Sequence, residues 1–294
     1  MTLKEHLYLI IKVFVYSVLI ISLNACNDKK TEYMNIIFLH HSTGAVIWGD
    51  PTILSRVVGK INKDIAYKFY GKNSLPAMFS KYNSDYSKTY KIREQTFPKS
   101  SPYGWHNYPF DYYNIWVKNA GNEPFMEEPT LEILTKKYQV IIFKHCFPVC
   151  NIQPDGDTVD INSDIKTISN YKLQYLALRE KLNQFPETKF ILFTGAAQVK
   201  QVISEDEAKR AKEFFTWVKE EWDVAGDNIF LWDLYQLQTE GGLYLLDEYA
   251  YASDNSHPNR IFADKAVRFL FNRITDVIEN NGTGTELTGE IKKF

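Results

Sequence analysis

A serine that directly follows a short apolar run is the first residue in this sequence with a clear chemical role to offer. The run Ile36–Leu39 is apolar, and His40, His41 and Ser42 come after it. Such a run, ended by polar residues, predicts a buried strand of a parallel sheet. Because open α/β sheets place their sites at the carboxyl ends of strands, Ser42 stands where a nucleophile would be presented. A purely structural role for Ser42, as the N-cap of the next helix, is the alternative.

The most suggestive partner for this serine lies near the end of the chain. A serine hydroxyl needs a base, which is most often a histidine held by a carboxylate. Among the six histidines, His257 has Asp254 three residues before it in a predicted loop. One turn of backbone can bring that carboxylate to one imidazole nitrogen while the other nitrogen points away. The alternative is a surface loop in which the two residues are neighbours by chance.

The elements that must position these residues alternate along the chain. Alternation of strands and helices predicts a parallel sheet that is covered by helices on both faces. The apolar patterns predict strands at 34–40, 64–70, 139–145, 189–193 and 228–233, and helices at 51–60, 127–137, 164–185, 204–222 and 259–279.

Residues 72–109 show no sustained periodicity. A long segment without regular structure in a compact domain is usually functional or mobile. We therefore expect an insertion that walls a cleft, with Trp105, His106 and Tyr108 facing a ligand.

Both ends of the predicted domain resemble the SGNH, or GDSL-like, hydrolases. In that family the nucleophilic serine follows the first strand, and Asp-x-x-His, often followed by Pro and Asn, precedes the last helix. Ser42 and the segment Asp254-Asn-Ser-His257-Pro-Asn259 occupy these places here. The resemblance covers roughly residues 34–279. It implies a three-layer α/β/α sandwich with a parallel, flavodoxin-like sheet, a catalytic triad of Ser42, His257 and Asp254, no cofactor and no metal.

The family's oxyanion hole is matched only in part. Gly121, in Asn119-Ala-Gly121-Asn122, matches the glycine of the second family block, so the resemblance implies donors from Ser42, Gly121 and Asn122. The asparagine of the third block is missing after the strand at 139–145. His145, Asn122 and Asn151 are the candidates to replace it.

His40 and His41 stand where the family has Gly-Asp. With His145 and Cys146, they also allow a zinc site, because nitrogen and sulfur ligands suit zinc. However, no His-x-x-x-His or paired-cysteine spacing fixes such a site. Successive strand residues also point to opposite faces. We therefore expect substrate contacts from His40, His41 and His145, together with Trp105.

The N-terminal segment indicates a location in the cell envelope. The apolar run Val13–Leu23 is shorter than the roughly 20 residues of a membrane span, and it ends in Leu23-Asn-Ala-Cys26. This ending resembles the lipobox of bacterial lipoproteins, which implies cleavage before Cys26 and a lipid on its sulfur. An uncleaved signal anchor is the alternative. Residues 1–26 are then a lipoprotein signal peptide, 27–33 a tether, 34–280 the hydrolase domain and 281–294 a flexible tail.

Composition fits a globular protein of 294 residues, with 45% hydrophobic residues and a formal net charge of -2. This charge gives no reason to expect a nucleic-acid partner. Cys146 and Cys150 are close enough for a bridge, and two free thiols are the alternative.

Taken together, the motifs and the N-terminal segment predict a membrane-anchored serine esterase that removes O-acyl groups from carbohydrate or related envelope or dietary substrates. A catalytically inactive, glycan-binding surface lipoprotein is the alternative.

Overall fold

The computed structural model describes residues 33–293. The predicted signal peptide, the lipidation site Cys26 and the tether up to residue 32 lie outside the described residues. Within the described part of the chain, no helix is long and apolar enough to span a membrane.

The protein is an α/β protein built on a five-stranded parallel sheet. The strand order is β2-β1-β3-β4-β5, so β1, β3 and β4 have neighbours on both sides. Residues at the centre of these strands are completely buried, which explains why their sequences are continuously apolar. A short antiparallel hairpin, β6-β7, lies outside this sheet. The strands are β1 Tyr33–His40, β2 Thr89–Thr96, β3 Val140–Phe143, β4 Lys189–Phe193, β5 Ile229–Trp232, β6 Ala250–Ala252 and β7 Asn255–Pro258.

Helices connect the strands and flank the sheet. Ser204 and Glu207 form a reciprocal capping box at the start of α8, as the sequence predicts. Asn259 caps α10, the closing helix, through its side-chain oxygen, which accepts a bond from the Phe262 amide at 3.0 Å. The helices are α1 Ser42–Trp48, α2 Ile53–Gly59, α3 Lys63–Ala66, α4 Leu75–Tyr86, α5 Pro109–Tyr112, α6 Leu131–Leu134, α7 Ile168–Leu182, α8 Glu205–Trp217, α9 Leu234–Thr239 and α10 Arg260–Asn280.

The prediction of a strand at 64–70 is wrong. This segment forms α3 and a 3₁₀ turn at Tyr67–Phe69. The side-chain oxygen of Asn62 accepts a bond from the Ile65 amide at 3.1 Å, so an N-cap starts the helix. The local cap therefore prevails over the alternation of apolar and polar residues.

The prediction of a structureless insertion at 72–109 is wrong for most of its length. It contains α4, which Ser74 caps and which has Pro76 in its first turn, and β2, which lies at the edge of the sheet. Only Tyr90 and Ile92 are buried in β2. An edge strand with charged residues between its buried positions shows little of the apolar signal of a central strand.

The residues after α10 pack back on the domain. The hydroxyl of Thr285 donates a hydrogen bond to Asp276 at 2.7 Å, and the Asp233 amide donates to the Leu287 carbonyl at 2.9 Å. The segment predicted as a flexible tail therefore holds the end of α10 against the strand that precedes α9.

Candidate active site

Ser42 is the first residue of α1, directly beyond the carboxyl end of β1. Its side chain is exposed, and its hydroxyl forms no hydrogen bond within residues 33–293. The N-cap position belongs to His41, whose side chain makes no capping bond. Ser42 is therefore not the N-cap of this helix, and its hydroxyl is open to a substrate.

His40 has a packing role at the turn that presents Ser42. Its ring is buried, with Nε2 3.0 Å from Glu94 Oε2 and Nδ1 3.0 Å from the carbonyl oxygen of His41. A Cβ on Gly44 would lie 2.3 Å from His40 Cβ, so only glycine lets α1 start this close to the ring. His40 thus ties the start of α1 to β2 instead of facing a substrate.

His41 is half-buried beside Ser42. Its Nε2 donates a hydrogen bond to the carbonyl oxygen of Pro98. A carbonyl can only accept, so Nε2 carries the proton and Nδ1 is an acceptor. Burial is the main cause that lowers the pKa of His41, which favours this neutral form.

His257 lies on β7, and β7 packs against α1. The Oδ1 of Asn255 accepts bonds from the His257 backbone amide at 3.0 Å and from its Nδ1 at 2.7 Å. Because an amide oxygen only accepts, Nδ1 carries the proton and Nε2 keeps a free lone pair. The ring of Phe147 meets His257 edge-on, with the centroids 5.2 Å apart, and fixes its plane. This is the protonation pattern that a general base requires.

Asp254 does not hold His257 in this arrangement. Its side chain is exposed and forms no hydrogen bond or ion pair within residues 33–293. Asn255 takes the orienting position that the resemblance gives to Asp254. The bond from the amide two residues later is an Asx turn, and the Asn-x-His spacing is the sequence signal that could have identified it.

Lys144 is a buried lysine that the sequence pattern does not identify as part of a site. It follows β3 directly, is completely buried, and its Nζ lies 3.7 Å from Cys146 Sγ. Burial lowers its pKa. Its charge lowers the pKa of both His41 and His257, after burial as the larger cause. The charge of Lys144 therefore affects the pKa of two histidines of the candidate site, His41 and His257. The sequence shows only a lysine at the end of an apolar run.

Two of the predicted oxyanion residues, Gly121 and Asn122, have local partners within the described residues. The Gly121 amide donates to Glu132 Oε2 at 3.2 Å, and Asn122 Oδ1 accepts from Lys136 at 2.6 Å. Glu132 also pairs with Lys181, in the last turn of the helix that leads into the amino end of β4. The Gly121 amide and the Asn122 side-chain oxygen thus have partners in the segment that precedes β3.

Three other predicted site residues have partners inside the protein. His145 is completely buried, with Nε2 2.7 Å from the hydroxyl of Tyr175, and burial lowers its pKa to about 3. Trp105 packs in the hydrophobic core. Asn151 accepts a bond from Gln198 at 3.0 Å. Each of these side chains is therefore held by contacts within the protein.

The irregular segment at 97–108 bonds to the chain that follows β3. The Oδ2 of Asp111 accepts bonds from the amides of His106 and Asn107 at 2.8 and 2.5 Å. Asn107 has a φ of 62° and accepts a bond from the Cys146 amide at 3.1 Å. His106 is exposed, whereas the buried Tyr108 donates its hydroxyl to the Asp164 carbonyl at 2.9 Å. Of the three residues predicted to face a ligand, only His106 is open to solvent.

The cysteines after β3 are both free thiols. Cys150 is buried and donates to the Ala196 carbonyl at 3.3 Å. Within residues 33–293, no group of three or more His, Cys, Asp or Glu side chains is arranged to hold a metal ion.

Comparison with protein-family models, curated proteins and solved structures finds no match for this chain. The local geometry at the carboxyl edge of the sheet combines an open serine hydroxyl, a neutral histidine with a free Nε2 and a buried lysine.

Proposed function

We propose that this protein is a serine esterase of the SGNH type, which removes O-acyl groups from carbohydrate or related envelope or dietary substrates. One observation carries the proposal: Ser42 opens α1, and β7 packs against α1 while Asn255 holds His257 with its Nε2 free. The strand order 2-1-3-4-5 is that of flavodoxin-like sheets and supports the three-layer sandwich that the resemblance implies.

In the proposed reaction, Ser42 Oγ attacks the ester carbonyl carbon while His257 Nε2 takes the hydroxyl proton. The tetrahedral intermediate then collapses, and His257 returns the proton to the leaving sugar alcohol. Water, activated by the same nitrogen, releases the acyl group from Ser42. Asn255 keeps the imidazole in the required tautomer throughout. Asp254, which the resemblance puts in this place, has no part in the geometry described.

In this proposal Lys144 supplies positive charge near the site and not a hydrogen bond to the oxyanion, because its side chain is completely buried. The family's third-block asparagine follows the middle strand, and Lys144 follows β3. A buried cation at this point favours the negative charge that develops on the carbonyl oxygen, because the surrounding medium screens it little. The backbone amide of Ser42 is the hydrogen-bond donor that we propose for the oxyanion.

The test is hydrolysis of acetyl and short-chain aryl esters by the full chain and by Ser42→Ala. The matched control is Ser253→Ala, which removes an exposed hydroxyl from the loop beside β7. We expect Ser42→Ala to lower kcat/KM by about 10³-fold or more, and Ser253→Ala to leave it unchanged. A loss of less than about tenfold in Ser42→Ala would exclude Ser42 as the nucleophile.

A second candidate function is glycan binding without catalysis. It is favoured by the engagement of Gly121 with Glu132 and by the solvent-facing position of Asp254. It predicts binding of acetylated oligosaccharides that survives Ser42→Ala, with no ester cleavage by the unaltered protein. Isothermal titration with both proteins, in parallel with the esterase assay, separates the two candidates.

A further inference from the structure

The segment between α1 and α4 exposes a patch of large apolar side chains. Ile53 is 82% exposed and Ile61 is 88% exposed. Single exposed apolar side chains are common on folded proteins, whereas a cluster of them often marks an interaction site. We call this surface the α2–α3 patch, and its exposed apolar members are Ile53, Leu54, Val57, Ile61, Ile65 and Phe69.

Basic side chains accompany the patch. Residues 51–72 contain five basic residues and a single acid, Asp64, whereas the whole chain has a formal net charge of -2. Asp64 is neutralised by Arg93, whose Nε donates to Asp64 Oδ1 at 3.0 Å. The patch is therefore apolar and locally positive, and its basic residues Arg56, Lys60, Lys63, Lys68 and Lys72 are all exposed.

The chain before the described residues determines which partner fits this surface. It contains the apolar run Val13–Leu23 and then Cys26, seven residues before Tyr33. Either a lipid on Cys26 or the uncleaved apolar run would hold Tyr33 near a bilayer. Seven extended residues reach about 25 Å. Asp64 contacts Arg93, which pairs in the sheet with Ile37, about 13 Å along β1 from Tyr33. The α2–α3 patch thus lies within reach of the membrane that anchors the chain.

We propose that the α2–α3 patch docks on an anionic lipid surface, with its aliphatic side chains inserted at the headgroup boundary and its lysines on the lipid phosphates. Short helices that combine apolar and basic residues bind membranes in this way. The contact adds the apolar area and the charge of the patch to the attachment through the N-terminal segment. It also orients the domain, because α2 follows the helix that Ser42 opens. The inference rests on the patch and the N-terminal sequence, and is independent of the esterase proposal.

The test measures how deeply the patch enters the bilayer, with the full chain in vesicles that contain one quarter phosphatidylglycerol in phosphatidylcholine. An environment-sensitive fluorophore is placed at Ile61→Cys or, as a matched control, at Val159→Cys. Val159 is also an exposed aliphatic residue, 52% exposed, but lies outside the patch. Both labelled chains carry Cys146→Ser, so that the half-buried thiol does not react. The signal of Cys146→Ser alone is subtracted, because Cys26 takes up the fluorophore wherever it carries no lipid. The quencher is a doxyl group on the lipid acyl chains.

We expect strong quenching at position 61 and at most one third as much at position 159. The double change Lys60→Glu and Lys63→Glu should lower the quenching at position 61 at least twofold in anionic vesicles. Equal quenching at the two positions would overturn the proposal. A second outcome would also overturn the proposal. If the fluorophore at position 61 is shielded from water only at high protein density and is not quenched by lipid, the patch binds a second copy of this chain.

Discussion

His145 and His257 are two histidines with the same chemistry and opposite surroundings. His145 follows β3 and is completely buried, with the hydroxyl of Tyr175 against Nε2 and no partner for Nδ1 within residues 33–293. His257 is half-buried, with Nδ1 held by Asn255 and Nε2 free. Burial keeps His145 neutral down to a pKa of about 3, so it cannot exchange protons near neutral pH. A histidine becomes a base where the protein holds one ring nitrogen and leaves the other to the substrate.

The largest expected effect separates the two histidines by activity. His257→Ala should lower kcat/KM for aryl esters by about 10³-fold or more, because the serine loses its base. The midpoint of thermal unfolding should change by a few degrees at most, since the side chain is half exposed. Steady-state kinetics and a melting curve check both parts. Activity within tenfold of the unaltered protein would show that His257 is not the catalytic base and that its role, like that of His145, is structural.

The second effect concerns stability and belongs to His145. Its folded pKa of about 3 lies below the unfolded value of 6.5, so the unfolded chain binds the proton first as the pH falls. The stability contributed by the neutral ring is complete above pH 6.5 and is lost as the pH falls toward 3, by at most about 1.4 kcal/mol per pH unit. Urea unfolding should therefore show a steeper loss between pH 6.5 and 4 in the unaltered protein than in His145→Phe.

Asp111 provides a control of opposite sign for that experiment. Burial, as the largest cause, raises its pKa to about 7, so the folded state binds a proton that the unfolded state releases from pH 3.8 upward. Stability from this group is complete below pH 3.8 and is lost as the pH rises toward 7. Asp111→Asn should flatten that decline, and His145→Phe should not. Parallel pH curves for the unaltered protein and His145→Phe would contradict a buried neutral His145.

A smaller effect identifies the residue that orients His257. Asn255→Ala removes the acceptor at Nδ1 and should lower kcat/KM roughly tenfold to a hundredfold, because the wrong tautomer becomes populated. Asp254→Ala is the matched control from the same turn and should change kcat/KM by less than about threefold. The reverse order of the two effects would show that Asp254 holds the imidazole during catalysis, as the family resemblance implies.

The smallest effect that we predict is a displacement of the pH profile, which is read from the midpoint of its acid limb and is separate from any loss of maximal rate. Lys144→Met keeps the length of the side chain and removes the charge that, after burial, lowers the pKa of His257. Activity requires neutral His257 and is lost as the pH falls through that pKa. The acid limb of kcat/KM should therefore move to higher pH in Lys144→Met. An unmoved acid limb would mean that His257 does not sense Lys144.

The sequence predicts the central sheet well because buried parallel strands leave a strong local signal. The apolar runs in β1, β3 and β4 and the capping box at Ser204 are all found where the pattern indicates. The pattern does not predict the edge strand β2, because its charged positions interrupt the apolar signal. The pattern predicts a strand where α3 lies, because a four-residue helix is too short to show a period of 3.6.

The site is less predictable from sequence because it depends on contacts between distant segments. The motifs indicate one edge for Ser42 and the loop with His257, and β7 packs against the helix that Ser42 opens. They do not show that Glu132, eleven residues after Gly121, takes the Gly121 amide. Nor do they show that Lys144 is buried. Lys144 directly follows β3, and the order of residues along the chain does not reveal which segments cover the carboxyl end of that strand.

Reaction of the full chain with a fluorophosphonate, followed by mass spectrometry of the labelled peptide, tests the central claim most directly. We expect a single adduct on Ser42, which is absent in Ser42→Ala. In His257→Ala the adduct should form far more slowly, because only a hydroxyl paired with a base attacks the probe at a useful rate. Ser253→Ala should label like the unaltered protein. No adduct on the folded protein, or an adduct that persists in Ser42→Ala, would contradict the assignment of Ser42 as a catalytic nucleophile.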